Sequence, residues 1–224
     1  MRALAAAVLA VAAPASADPL QDQVLAGIKR TDTGDVAFTS TTRIERTGAA
    51  AQVIVSRYDP RAAAGRRWTV VSVDGRAPTA KEAGQVTKAA NGSPVPSYAR
   101  LAQWFGGRAT RVRLAAGSVT YRFAQLPKGG FKVGNRDVSA DTAAEAVVNT
   151  AGPAPFVERI RFTSLRGFRS MLVAKIDRYV ITSSYARLPD GRPFPEGNSA
   201  EMAGAIMGKA GTLTTATRYA AGRR

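Results

Sequence analysis

The chain has 224 residues, no Cys, no His, and 32 Lys and Arg against 16 Asp and Glu, a formal net charge of +16. Without Cys there is no disulfide framework, no Cys-metal site and no Cys-borne lipid anchor. Without His the usual general base, the Ser-His and Cys-His nucleophiles and the commonest zinc ligand are missing. Ser-x-x-Lys, Gly-x-Ser-x-Gly and Gly-x4-Gly-Lys patterns do not occur either, so the expectation is a protein that is not an enzyme and carries no cofactor or metal.

Residues 1–17 read Met1-Arg2, an Ala/Val/Leu run from Ala3 to Ala13, then Pro14 and Ala15-Ser16-Ala17. That order of charge, apolar core and small residues is a secretory signal, cleaved after Ala17. The run is too short to cross a ~30 Å hydrocarbon core, and no later stretch approaches 18 consecutive apolar residues. Residues 18–224 are therefore expected to be a single exported domain, periplasmic and without a transmembrane segment.

Asp18-Pro19 supplies a cap and a first-turn proline for a helix carrying Leu20, Val24, Leu25 and Ile28. From Val36 to Glu45 the period changes to two, which is a strand with one wet face. Thr47-Gly48, a loop from Asp59-Pro60 to Gly65, and Asp74-Gly75 bound further strands at 52–58 and 68–73, an antiparallel meander. Thr79-x-x-Glu82 is the capping box of a helix over about 79–90. After the breakers at 91–96, Ser97 caps a short helix holding Tyr98, Leu101, Trp104 and Phe105, stopped by Gly106-Gly107. Strands are then expected at 112–114, 119–126, 146–150, 156–165, 168–176, 178–188 and 213–219. About ten strands and three helices make an α+β fold. A sheet that wide is expected to curl, so the predicted form is a strongly curved antiparallel sheet, a half-open β-barrel with helices as plug or lid; a two-sheet sandwich is the alternative.

On this reading Phe38, Val53, Val55, Trp68, Val70, Tyr121, Phe123, Ile160, Phe162, Val173 and Ile181 face inward. They either fill a core or line an apolar cavity, and the low aromatic content of 7% leaves room for the latter. Leu101, Trp104 and Phe105 beside Gly106-Gly107 are either ordinary packing or a hinged lid. Arg159 and Arg161 share the strand face opposite Ile160 and Phe162 and could meet anionic headgroups. The charge is carried by 25 Arg and 7 Lys scattered along the chain. In an exported protein that suits anionic lipid better than nucleic acid, for which no aromatic-interleaved motif is present. Asp137, Asp141 and Glu145 have helical spacing and read as the solvated start of a helix near Ser139.

The order of parts, with the capped helix Leu20–Ile28, the strand 36–43, a meander, inserted helices and strands to the end, resembles the LolA/LolB/RseB-like superfamily of periplasmic proteins. Arg57-Tyr58-Asp59-Pro60, the stretch Arg67–Thr79 and Leu188-Pro189-Asp190-Gly191-Arg192-Pro193 look like an exported alphaproteobacterial branch. The resemblance implies a half-barrel that binds a lipid or the acyl chain of a lipoprotein and acts as a carrier or chaperone. An RseB-like stress-sensing interaction domain without cargo is the alternative.

Overall fold

The computed structural model describes residues 18–222 apart from 32, 92–94, 134, 135, 171–173 and 207; the expected signal at 1–17 lies outside them. The first helix, α1 (Pro19–Arg30), starts where the Asp18 carboxylate accepts from the backbone N–H of Leu20 and Gln21, and ends on Lys29 and Arg30, which complement the helix dipole. Three strands follow as a meander, β1 (Phe38–Arg46), β2 (Gln52–Tyr58) and β3 (Trp68–Val73). The capping box forms as expected: Thr79 Oγ1 accepts from Glu82 N, and Glu82 Oε2 accepts from Thr79 N at 2.8 Å, opening α2 (Ala80–Asn91). A 3-10 turn at Tyr98–Leu101 runs into α3 (Ala102–Phe105).

The remaining strands are β4 (Thr110–Ala115), β5 (Ser118–Phe123), the small hairpin β6 (Lys132–Val133) and β7 (Arg136–Asp137), β8 (Thr142–Asn149), β9 (Phe156–Ser164), β10 (Phe168–Ser170), β11 (Ala174–Arg187), β12 (Pro193–Ile206) and β13 (Lys209–Ala221). Ten strands pair in the antiparallel order β3-β2-β1-β13-β12-β11-β9-β8-β5-β4, and β10 adds to β11. The α+β class stands, but the half-open barrel does not. The pairing is an open path whose ends, β3 and β4, do not meet, in an eleven-stranded sheet that is not strongly curved. The alternative of two packed sheets is overturned by the same single path. Instead of one concavity wrapped around helices, the sheet has two separate apolar clusters on one face. The larger is built on β5, β8, β9 and β11; the smaller is Phe38, Tyr58 and Phe194.

Two local expectations also fail. Asp137, Asp141 and Glu145 do not share a helix: they fall on β7, a 3-10 turn and β8, because Asp137 is drawn into a turn by Gly129 N and Ser139 N. And β12, fourteen residues at the centre of the sheet, occupies a stretch where no strand was expected. Its Pro193, Pro195, Gly197 and Gly204 read as breakers, yet the prolines sit at the strand's start, where they are tolerated, and Gly204 is required. A Cβ there would stand 2.1 Å from the Lys175 carbonyl oxygen, beside the bulge between Ile176 and Arg178 of β11.

Candidate functional site

Cross-strand register fixes which side chains share a face. Tyr121↔Ala146, Ala146↔Ile160, Ile160↔Ser183, Ser183↔Asn198, Asn198↔Thr217, Thr217↔Thr42 and Thr42↔Ile54 form one continuous row. This helical face carries α1, α3 and the 3-10 turn at 98–101; among the described residues no helix packs on the opposite, bare face.

On the helical face over β5, β8 and β9 the packing is closed. Tyr121, Phe123, Ile160 and Phe162 are buried under α1 and α3. Trp104 meets Phe162 edge-on at 4.8 Å between ring centroids and donates its indole N–H to Gly130 O at 2.6 Å. Phe105 packs on Tyr121 and Phe123, and Leu101 is fully buried. Leu101, Trp104 and Phe105 are thus locked into the core, with Gln21 donating to both Phe105 O and Gly107 O at 2.8 Å across the would-be hinge. The Asp18–Arg111 pair, Nε to Oδ2 at 2.6 Å, ties the start of α1 to β4; the Arg111 guanidinium holds the Asp18 carboxyl at about 2. Burial raises the hydroxyl pKa of Tyr98 and Tyr179 and pushes Tyr185 up to about 12, so these side chains stay neutral.

Of the other expected inward residues, Phe38 and Trp68 join Tyr58 in the small cluster. Val70 and Ile181 lie half-buried on the helical face. Val53 and Val55 face the other way: they pair with Arg43 and Thr41 on the bare face, while Ile54 and Ser56 point to the helices. In a run of Val-Ile-Val the alternation cannot say which members are inside, and a one-residue slip exchanges the faces. Val173 lies outside the described residues. Arg159 and Arg161 are exposed on the bare face, so they do not rim any apolar surface on the helical side.

What the helical face leaves open lies over β12, β13, β1 and β2. Ile44, Ile54, Val70, Ile181 and Met202 are half-buried there, Leu213 is 37% exposed, and Thr42, Thr215 and Thr217 lie between them. This strip is bounded on one side by the closed core, against which Ile181 and Met202 pack, and on the other by α2. Helix α2 rests on β3, whose Val73 is buried while Val71 on the bare face is 49% exposed, yet none of its own residues is buried. Its contact is made by half-buried Ala83, Val86 and Ala90, spaced three and four apart. Spacing could have identified this stripe. Ala and one Val make a weak apolar signal, so the stripe does not stand out in the sequence.

A depression of about 780 Å³ lies elsewhere, beyond the small cluster, and is lined by Val36, Leu188, Pro189 and Arg192 among others. Arg192 there is already compensated, by Asp35 and Asp190 at 2.9 Å each. Among the described residues no group of three or more His, Cys, Asp or Glu could hold a metal ion, and no helix is long and apolar enough to cross a membrane.

No family model matches the chain, and no curated protein is significantly similar to it. Among solved structures it is similar to a LolA superfamily protein of Nitrosomonas europaea, 12% identical over 91% of this chain and 92% of that one, with a TM-score of 0.35.

Proposed function

We propose that the chain is a periplasmic carrier or chaperone that holds a lipid, or the acyl chain of a lipoprotein, against the open strip of the helical face, and that it does so as a binder without catalysis. The observation that carries this is the strip itself. Six aliphatic side chains, Ile44, Ile54, Val70, Ile181, Met202 and Leu213, lie partly exposed on the face that elsewhere is sealed by aromatics. Each methylene a ligand buries there contributes about 0.8 kcal/mol, so an acyl chain of ordinary length has ample driving force. Helix α2, with no buried residue, is the element that moves to admit it, in place of the fixed segment at 101–105. The export-type leader and the excess of positive charge support the compartment.

The test is native mass spectrometry with organic extraction of the protein purified from a periplasm. A stoichiometric phospholipid or acylated protein is expected, and it is lost in Ile54→Glu while the far-ultraviolet circular dichroism stays unchanged. A protein that arrives empty and takes up no fluorescent lipid overturns the reading.

A further inference from the structure

The bare face of the sheet has its own chemistry. Register places Arg57 on β2, Arg218 on β13, Arg178 on β11 and Arg159 and Arg161 on β9 together on it, all exposed. None of these five has an ion-pair partner among the described residues. Of the carboxylates that share the face, Glu45 pairs with Arg43, Glu145 with Arg122 and Asp177 with Lys175, while Glu201 on β12 is exposed among the arginines, so among the described residues five unpaired guanidinium groups face one unpaired carboxylate. At ~4.8 Å between strands, the array from β2 to β9 spans roughly 24 Å. Because the sheet is one open path, register keeps those guanidinium groups on a single face. Beside Arg122 and Arg161 the face is dented by a depression of about 480 Å³ floored by Ala143 and Thr163, with Leu165 at its margin 56% exposed.

We propose that the bare face docks on an anionic phospholipid surface, with Arg57, Arg159, Arg161, Arg178 and Arg218 over the headgroup phosphates and Leu165 as a shallow apolar contact. Extended strands with short side chains between the arginines match a flat, fluid array of phosphates, to which guanidinium groups bind in bidentate fashion. A single-stranded nucleic acid is the other polyanion of matching charge. It is bound through stacking on aromatic rings, and among the described residues every aromatic ring contact falls on the helical face or its edges. Docked in this way, the protein keeps its helices and the open strip turned away from the bilayer. The docking does not depend on the strip holding a ligand.

Sedimentation with vesicles at low salt tests it on the full purified protein. Vesicles of phosphatidylglycerol and phosphatidylethanolamine should bind it, phosphatidylcholine vesicles should not, and rising salt should release it. The pair Arg159→Ser/Arg161→Ser should weaken binding by roughly 25-fold, at about five-fold per arginine. Arg57→Ser/Arg218→Ser, at the other end of the face, should do the same. Lys81→Ser/Lys88→Ser, an equal charge change on α2, should alter it less than about two-fold. Equal losses from all three pairs, equal binding to phosphatidylcholine, or tighter binding of a single-stranded oligonucleotide through the same arginines would each overturn the proposal. Lipid extraction from the Arg159→Ser/Arg161→Ser protein separates the two ideas: cargo retained with docking lost leaves the carrier reading intact.

Discussion

The two halves of the helical face are made by the same alternation on one continuous sheet, yet one is sealed and the other is not. Over β5, β8 and β9 the face offers Tyr121, Phe123, Ile160 and Phe162, and the cover returns Trp104, Phe105 and Leu101, so rings interlock at 4.8 to 5.7 Å. Over β12, β13 and β1 it offers Ala200, Met202, Thr215, Thr217 and Thr42, and the helix that borders this half, α2 with Ala83, Val86 and Ala90, rests on β3. Side-chain volume separates them. The hydroxyls and small side chains of this half of the sheet, and the alanines of α2 beside it, offer little dispersion energy to hold a cover down. A sheet can thus carry its stability in one half and keep the other available.

The largest test of that contrast is a pair of truncations. Phe162→Ala, buried against Trp104 and Phe131, should cost about 3–5 kcal/mol in urea unfolding. Met202→Ala on the open strip should cost about 1 kcal/mol or less, because the side chain is only half removed from water. Equal costs would erase the distinction.

A smaller effect should appear at the join between α1 and the sealed half. Asp18 is held at about 2, below its usual 3.8, chiefly by its hydrogen bond with Arg111. A carboxyl depressed in the folded state adds stability that is fully present above the unfolded value and is lost as pH falls from about 3.8 through 2. Asp18→Asn keeps a capping side chain and gives up the ion pair, so it should cost about 0.5 kcal/mol at neutral pH and flatten the acid limb of the stability curve. An unchanged acid limb would show that the pair contributes nothing in solution.

Much of this arrangement is legible in the residues. Asp18-Pro19, the Thr79 to Glu82 box, Ser97 and the three-strand meander appear where caps, turns and alternation place them. Three features escape for physical reasons. The shape of the sheet depends on how strands pair at long range, and the return of β13 to β1 leaves no local mark. β12 hides behind prolines and glycines that local rules count as breakers, while its neighbours demand the glycine. And the site residues split because alternation gives a period but no sign where both sets are apolar: Val70 and Ile181 fall on the open strip, Tyr121, Phe123, Ile160 and Phe162 in the sealed core, and Val53 and Val55 on the bare face.

The most direct test of the two-region account is hydrogen exchange, followed peptide by peptide without and with an added fluorescent fatty acid. Amides of α2 should exchange at least 100-fold faster than those of α1 and slow when the lipid is present, while α1 and residues 98–105 stay unchanged. If α2 proves as protected as α1, or if added lipid slows exchange at 98–105 instead, the division into a sealed half and an available half is wrong.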